Sequence, residues 1–264
     1  TGLHADRISI NIELPSAASL KRLAPDKNSA GILGPMRYIA HSIDANRDER
    51  KHLRTAPIFA PAGQSTQLIV GASPENDLHI LQLSERLYQT CRLKRVYYSA
   101  YVAVNDDTRL PWSPAPDLLR EHRLYQADWL VRRYGFSAPE ILTPAAPYLD
   151  RDLDPKCAWA LRHPGQFPIE INRADYETLL RVPGIGIVSA KRIVAARRYA
   201  SVRMEDLAKL GVVVKRARFF ITCGGRALQR LTQLDVARAA LLHGTQRQPI
   251  RQDRGGQSEL FDGL

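Results

Sequence analysis

A short glycine-containing segment carries the clearest chemical signal in this chain. Residues 183–186, Pro-Gly-Ile-Gly, place two glycines around one apolar residue, and apolar residues at helical spacing flank them. Glycine lets the backbone approach a ligand closely, and a helix that begins at the second glycine presents free N–H groups to an anion. Lys191 and Arg192 add positive charge one turn further on. The segment predicts a phosphate-binding turn, and a tight turn between two core helices is the alternative.

The order apolar-Pro-Gly-apolar-Gly-apolar resembles the helix-hairpin-helix motif of DNA repair proteins, in which this turn holds a DNA phosphate. A weaker second copy follows, because Gly211 aligns with Gly184 and Arg218 then lies opposite Lys191. The second copy lacks the second glycine, so we expect its turn to pack against the first copy. The residues that the resemblance assigns to duplex DNA, within residues 170–225, are Pro183, Gly184, Ile185, Gly186, Lys191, Arg192 and Arg218.

Positive charge is concentrated in the C-terminal half of the chain. The 264 residues include 38 Lys+Arg and 27 Asp+Glu, a formal net charge of +11. Residues 151–264 contain 20 Lys+Arg and 11 Asp+Glu, whereas residues 1–150 contain 18 Lys+Arg and 16 Asp+Glu. We therefore expect a polyanionic partner at the C-terminal half. A basic segment that only aids solubility is the alternative, and the coincidence with the glycine turn disfavours it.

The cysteines and the seven histidines have no metal-ligand spacing. Cys91, Cys157 and Cys223 are far apart and indicate reduced structural thiols in a cytosolic protein. No apolar run approaches transmembrane length and no signal peptide opens the chain, which predicts a cytoplasmic, nucleoid-associated protein. The sequence begins at Thr1, close to a strand-like segment, and we expect it to be the C-terminal part of a longer polypeptide.

Alternating strand and helix patterns occupy the first part of the chain. The predicted strands span residues 6–15, 67–71 and 95–102, and the predicted helices span residues 16–23, 34–52 and 77–90. This order predicts parallel βαβ units with both faces of the sheet covered. The first strand alternates strictly, with Ile8, Ile10 and Ile12 on one face and Ser9, Asn11 and Glu13 on the other. The tyrosines of the third strand could stack on bases or pack in the core. We favour core packing for Tyr97, Tyr98 and Tyr101.

The pattern changes after residue 105. Residues 117–134 predict an amphipathic helix that Gly135 stops, and the proline-rich residues 137–168 predict an irregular connector. From Asn172, which can cap a helix, the chain is expected to be all helical. The predicted domains are residues 1–110, a linker and connector over 111–169, a tandem helix-hairpin-helix domain over 170–243, and a disordered tail over 244–264.

Several stretches of the chain carry a second resemblance. They are residues 5–15, 68–75, 93–101, 154–156 and 159–162. Residues 1–150 resemble the second half of a radical S-adenosylmethionine (SAM) barrel, and the whole chain is similar to the DNA modification/repair radical SAM proteins. The resemblance implies an α/β partial (βα) barrel, the last three strands of a six-stranded radical SAM barrel, followed by an all-α helix-hairpin-helix domain.

The resemblance also implies cofactors. The family binds a [4Fe–4S] cluster through a Cys-x3-Cys-x2-Cys loop and uses it to cleave SAM reductively. This chain has no such loop, so enzymatic activity is assigned to the intact parent and neither cofactor is expected to function in this chain alone. Asn11 and Glu13 correspond to contacts with the methionyl and ribose groups of SAM, and Gly71 to a contact with adenine. An internal hydrogen-bond network or an exposed face is the alternative for Asn11 and Glu13, and a simple strand-end turn is the alternative for Gly71.

Three functions remain open. The first is the C-terminal portion of a radical SAM enzyme that modifies or repairs DNA. The second is a non-catalytic DNA-binding adaptor in DNA repair, and a cluster motif in the upstream coding sequence would exclude it. The third is an RNA-directed radical SAM enzyme. It ranks lower because helix-hairpin-helix modules favour duplex DNA through backbone phosphates.

The last residues of the chain suggest a separate partner. Residues 257–261, Gln-Ser-Glu-Leu-Phe, resemble the Gln-x-x-Leu-Phe peptide by which bacterial repair proteins bind the sliding clamp. Gln257 would donate and accept hydrogen bonds in one subsite, while Leu260 and Phe261 would fill an apolar pocket. Packing of Leu260 and Phe261 on the helical domain is the alternative.

Overall fold

The computed structural model of this chain describes residues 2–105, 107–111, 115–227, 229 and 234–245. The chain divides into two compact units, Thr1–Arg162 (unit 1) and His163–Leu264 (unit 2). The boundary between the units lies within the segment that the sequence predicts as a connector. Within the described ranges, no helix combines the length and the apolar character that crossing a membrane requires.

Unit 1 is built on three parallel strands in the order β1-β2-β3. The strands are β1 (Ile8–Ser9), β2 (Gln64–Val70) and β3 (Arg95–Ala100). The helices are α1 (Ala17–Leu23), α2 (Ser29–His52), α3 (Asp77–Cys91), α4 (Leu118–Tyr134), α5 (Ala138–Ile141) and α6 (Pro155–Arg162). Helix α3 packs against both α2 and α4. When parallel strands lie side by side in chain order, their right-handed crossover connections place the helices on one face of the sheet.

The helix-covered face of the sheet forms the core of unit 1. Leu68 and Val70 on β2 and Val96 and Tyr98 on β3 alternate with residues of the other face and are at most 2 % exposed. The Tyr98 hydroxyl lies 2.9 Å from the Ser84 hydroxyl. The prediction of a core position is confirmed for Tyr98.

The opposite face of the sheet is mostly polar and, apart from the buried Ser65, at least partly exposed. The residues of this polar sheet face are Ser9, Ser65, Gln67, Ile69, Arg95, Tyr97, Ser99 and Tyr101. The expectation that both faces are covered is therefore wrong for the described residues, because the helices share one side. The core position predicted for Tyr97 and Tyr101 is also wrong, since strand alternation directs both side chains away from the buried Tyr98.

A bulge interrupts the first predicted strand. Ser9 pairs with Ser65 and Glu13 with Leu68, so the first segment has one more residue than β2 between these pairs. The Thr66 hydroxyl lies at the bulge, where it accepts the Ile12 N–H at 3.1 Å and donates to the Ile10 carbonyl at 2.7 Å. Strict alternation over residues 6–15 is therefore wrong, because a bulge breaks the two-residue period.

Side chains of the helices satisfy the outer edge of β3. The Tyr98 N–H donates to the Tyr125 hydroxyl at 3.0 Å, and that hydroxyl donates back to the Tyr98 carbonyl. The Ala100 N–H donates to a Glu121 carboxylate oxygen at 2.7 Å. An edge strand with satisfied backbone groups does not offer itself for further pairing.

Two helical predictions need correction. Helix α2 begins at Ser29 rather than at residue 34, because Asn28 supplies the cap, and Pro35 is accommodated in the second turn. The segment 137–168 is not irregular, because it contains α5 and α6, and α6 buries Trp159 against Phe136. The end of α4 is confirmed, since Gly135 adopts a left-handed φ of 69° after Tyr134.

Unit 2 combines helices with a small sheet, so the prediction of an all-α domain is wrong. Its helices are α7 (Tyr176–Arg181), α8 (Ile187–Ala196), α9 (Val214–Ala217) and α10 (Leu234–Thr245), and its strands are β4 (Ile169–Glu170), β5 (Ile221–Cys223) and β6 (Arg226–Ala227). Strand β5 pairs with β4 in parallel and with β6 antiparallel. Asn172 does not cap α7. Its side chain instead binds the backbone N–H and carbonyl of Val202, and Asp175 supplies the cap.

Candidate nucleic-acid interface

Helices α7 and α8 flank the glycine turn, which we call hairpin 1 (residues 182–186). Gly184 has a φ of +83°, a left-handed conformation that favours glycine. A Cβ atom at Gly184 would lie 2.5 Å from the Val213 carbonyl oxygen. The first glycine is therefore required by the turn and by close packing against the second copy.

The second glycine of hairpin 1 has a different role. Gly186 is the N-cap of α8, with φ −95° and ψ 178°, a backbone conformation open to any residue. No side chain caps this N-terminus, and Gly186 and Ile187 are partly exposed. The first N–H groups of α8 have no acceptor inside the helix, and the helix dipole adds partial positive charge there. An anion from outside the protein can therefore accept hydrogen bonds from these N–H groups.

The second copy forms a turn, which we call hairpin 2 (residues 209–213), that packs on hairpin 1 as predicted. Gly211 has a φ of +86°, close to that of Gly184. The Val213 N–H donates to the Gly184 carbonyl at 2.8 Å, and the Ser189 hydroxyl donates to the Gly211 carbonyl at 2.7 Å. The pairs that occupy equivalent buried positions in the two copies are Leu180 and Leu207, Ile185 and Val212, and Ala190 and Ala217.

The basic residues near the hairpins fall into two groups. Lys191 and Arg192 on α8 and Lys215 on α9 are exposed, and none of them forms an ion pair among the described residues. Arg218 is partly buried, with its guanidinium 4.7 Å from the centre of the Phe219 ring. The exposed side chains of Lys191, Arg192 and Lys215 can contact a polyanion directly, whereas the Arg218 side chain packs against Phe219.

Two of the residues assigned to DNA have buried side chains. Pro183 is buried, and Ile185 is 1 % exposed. Their side chains hold hairpin 1 on the core of unit 2, so any contact that they make with a phosphate uses the backbone.

Two acidic residues of unit 2, Glu170 and Asp175, bind backbone N–H groups. Glu170 accepts the N–H groups of Asn172, Gly224 and Gly225 at 2.8–3.1 Å. Burial raises the pKa of Glu170, the backbone hydrogen bonds lower it, and the net pKa is below the ordinary value. Asp175 accepts the Thr178 N–H at the start of α7. These carboxylates stabilise turns and helix ends.

The three residues assigned to SAM lie in the strand-end region of unit 1 but do not form one cluster. Asn11 accepts the Ser9 hydroxyl at 3.0 Å, and Glu13 forms an ion pair with Lys27 at 2.8 Å. Because the bulge separates them, Asn11 and Glu13 do not share one strand face. Gly71 follows β2 with a φ of +92°, and a Cβ there would meet only the Tyr101 Cβ, at 3.9 Å.

Sequence reasoning missed the carboxylate of Glu75, four residues after Gly71. Glu75 Oε1 accepts the hydroxyls of Ser16 and Ser19, each at 2.5 Å, whereas Oε2 is buried and has no hydrogen-bond partner among the described residues. Burial raises the pKa of Glu75, the two serine hydroxyls lower it, and the net pKa is below the ordinary value. The only signal in the sequence is its place in the stretch 68–75 that resembles the radical SAM proteins.

The cysteines are buried at three separate places. Cys91 ends α3, Cys157 lies in α6, and Cys223 lies in β5 of unit 2. The Cys223 thiol donates to the Val202 carbonyl at 2.7 Å. Among the described residues, no group of three or more His, Cys, Asp and Glu side chains could hold a metal ion. Gln257, Leu260 and Phe261, assigned to the clamp, lie outside the described residues.

A protein-family model matches part of unit 2. Residues 166–213 match the helix-hairpin-helix motif, a range that contains α7, hairpin 1, α8 and hairpin 2. No curated protein and no solved structure matches the chain. Residues 166–213 are therefore a helix-hairpin-helix motif, and this motif indicates nucleic-acid binding.

Proposed function

We propose that unit 2 binds duplex DNA through the backbone of hairpin 1, without reading the base sequence. A DNA phosphate accepts the N–H groups at the start of α8, and Lys191 and Arg192 neutralise neighbouring phosphates. The observation that carries this function is the uncapped, partly exposed N-terminus of α8 within a matched helix-hairpin-helix motif. Phosphate contacts of this kind fix position on DNA and carry no sequence information.

The salt dependence of binding tests the charge contacts. Affinity for a fluorescent 20-base-pair duplex is measured by anisotropy at several salt concentrations. Each neutralised phosphate contributes a log–log slope of about −0.9, so Lys191→Ala should reduce the slope by about one unit. Lys51→Ala is the matched control, because Lys51 is an exposed lysine of unit 1. An equal slope in the Lys191 and Lys51 variants would contradict the contact.

Gly186→Val tests the approach of the phosphate. Valine readily adopts the extended backbone of Gly186, so the variant should keep its circular dichroism spectrum. Its side chain stands where the phosphate approaches the first N–H groups of α8, so duplex affinity should fall at least tenfold. If Gly186→Val binds the duplex as tightly as the unchanged chain, hairpin 1 has only a structural role.

For unit 1 we propose that it is part of a SAM-binding domain of a DNA modification or repair enzyme. Support comes from the sequential parallel strands, the left-handed Gly71 after β2 and the buried Glu75 Oε2, which has no hydrogen-bond partner among the described residues. In this proposal Glu75 and Asn11 offer acceptors to the amino and hydroxyl groups of SAM, and Gly71 leaves room for adenine. Bound SAM would supply radical chemistry only together with an iron–sulfur cluster.

The residues of this chain do not fit the [4Fe–4S] cluster. A cluster needs thiolates that converge on one site, and the three cysteines are buried in separate elements. The proposal therefore routes no step through the cluster, and a non-catalytic DNA-binding adaptor is the second candidate function. The sliding clamp is a proposed partner of residues 257–261.

Calorimetric titration of the whole chain with SAM tests the domain proposed for unit 1. Glu75→Gln keeps the size of the side chain and removes its charge, so it should weaken SAM binding several-fold. Glu85→Gln, on α3, is the control. If the unchanged chain does not bind SAM, the adaptor function is favoured.

A further inference from the structure

The polar sheet face differs from the usual face of a parallel sheet. Parallel strands are normally apolar on both sides, because helices cover both. Here the strand positions of one side hold serine, glutamine, arginine and tyrosine with a single isoleucine, and none of the eight residues of the polar sheet face is acidic. A ligand on this face would therefore meet hydrogen-bonding groups, aromatic rings and positive charge.

Two arginines converge on one aromatic ring of this face. The Arg95 guanidinium lies 4.8 Å from the centre of the Tyr97 ring, and that of Arg7 lies 5.4 Å from it. Arg7 Nη1 also donates to the Tyr97 hydroxyl at 2.7 Å. Arg7 is exposed and forms no ion pair among the described residues. The cluster therefore presents positive charge beside an aromatic ring, a combination that suits a phosphate joined to a flat base.

A second ring extends the face along β3. The Tyr101 N–H donates to the Val70 carbonyl at 2.8 Å, so strand pairing continues through this residue and its side chain follows Tyr97 and Ser99. Four residues of extended strand span about 13 Å. Between the two tyrosines the Gln67 amide donates to the Ser99 hydroxyl at 3.0 Å, so hydrogen-bonding groups line the gap.

We infer that the polar sheet face binds a short single-stranded DNA segment, a role that rests on the DNA-binding function proposed for unit 2. Bases stack on Tyr97 and Tyr101, and phosphates lie against Arg7 and Arg95. Aromatic side chains on a sheet stack unpaired bases, whereas the bases of a duplex hide their faces from such rings. Unit 2 then holds the duplex while unit 1 takes unpaired nucleotides.

Binding of a fluorescent ten-nucleotide oligothymidylate to the whole chain tests this role. The double variant Tyr97→Leu/Tyr101→Leu should weaken oligothymidylate binding about tenfold or more, because stacking contributes strongly to affinity at each base. Its affinity for the 20-base-pair duplex should not change. Tyr38→Leu is the matched control, since Tyr38 lies on α2 and is 70 % exposed. Oligothymidylate affinity that the double variant leaves unchanged would overturn the inference.

Arg7→Gln provides a second test that does not depend on the tyrosines. It should reduce the salt slope for the oligothymidylate by about 0.7, the value for one phosphate of a single strand. Thymidine monophosphate should compete only weakly, and equal affinity for the free nucleotide and the oligomer would overturn the strand-binding role. Gly186→Val separates the two sites. If Gly186→Val loses duplex binding but keeps oligothymidylate binding, the duplex site on unit 2 and the single-strand site on unit 1 are both supported. If Gly186→Val also loses oligothymidylate binding, the single strand binds unit 2 and the inference is overturned.

Discussion

At the scale of single residues, the two glycines of hairpin 1 differ in backbone conformation and in surroundings. Gly184 has a left-handed φ and touches the backbone of hairpin 2, so its lack of a side chain serves folding. Gly186 has an extended backbone at the open N-terminus of α8, and in the proposed function its lack of a side chain gives a phosphate access to the first N–H groups. The sequence predicts that both glycines matter, and only the geometry separates the two roles.

Gly184→Ala should destabilise unit 2. The new Cβ would lie 2.5 Å from the Val213 carbonyl oxygen, and a left-handed φ alone costs an L residue about 1–3 kcal/mol. Urea unfolding followed by circular dichroism measures the loss. Gly165→Ala is the control, because a Cβ there meets no atom within 4 Å, and its effect should stay within about 0.5 kcal/mol. If Gly184→Ala and Gly165→Ala have the same free energy of unfolding, the close contact between hairpin 1 and hairpin 2 does not stabilise unit 2.

At the scale of elements, the sequence predicts strands and helices well where local signals agree with packing. The predicted helices over residues 16–23 and 117–134 and the stop at Gly135 agree with the structure, in which Ser16 and Asp117 cap α1 and α4. The bulge before Glu13 is not visible, because it depends on the Thr66 hydroxyl of a distant strand. The small sheet of unit 2 was missed for a similar reason, since β4 and β6 have two residues each.

Glu170→Gln tests the link between β4 and the β5–β6 turn. Because the folded pKa of Glu170 is below its ordinary value near 4.5, its carboxylate stabilises the fold fully above that value. The contribution is lost as pH falls through the folded pKa. Glu170→Gln should therefore lower the urea midpoint more at pH 7 than at pH 3. Glu205 is an exposed carboxylate of unit 2, so Glu205→Gln should change the urea midpoint equally at pH 7 and pH 3. If Glu170→Gln also lowers the midpoint equally at both pH values, the charge of Glu170 is not the source of the stabilisation.

At the scale of the whole molecule, the charge of the chain follows the division into units. Unit 2 has 17 Lys+Arg against nine Asp+Glu, whereas unit 1 has 21 against 18. The sequence predicts this asymmetry and the phosphate-binding turn, because both depend on residue type and short spacing. It does not predict the polar sheet face, because burial of one strand side and exposure of the other follow from where the helices pack.

Duplex DNA should therefore protect lysines of unit 2 from chemical acetylation while leaving those of unit 1 reactive. Lys191 and Lys215 are exposed near the two hairpins, and a phosphate beside either amine lowers its reactivity by contact and by charge. Lys21, exposed at the end of α1, is the internal control within the same molecules. Acetylation rates for each lysine, measured by mass spectrometry with and without the 20-base-pair duplex, should fall several-fold at Lys191 and Lys215. Equal protection of Lys21 would mean that the duplex also covers unit 1, and the charge asymmetry would then not determine where duplex DNA binds.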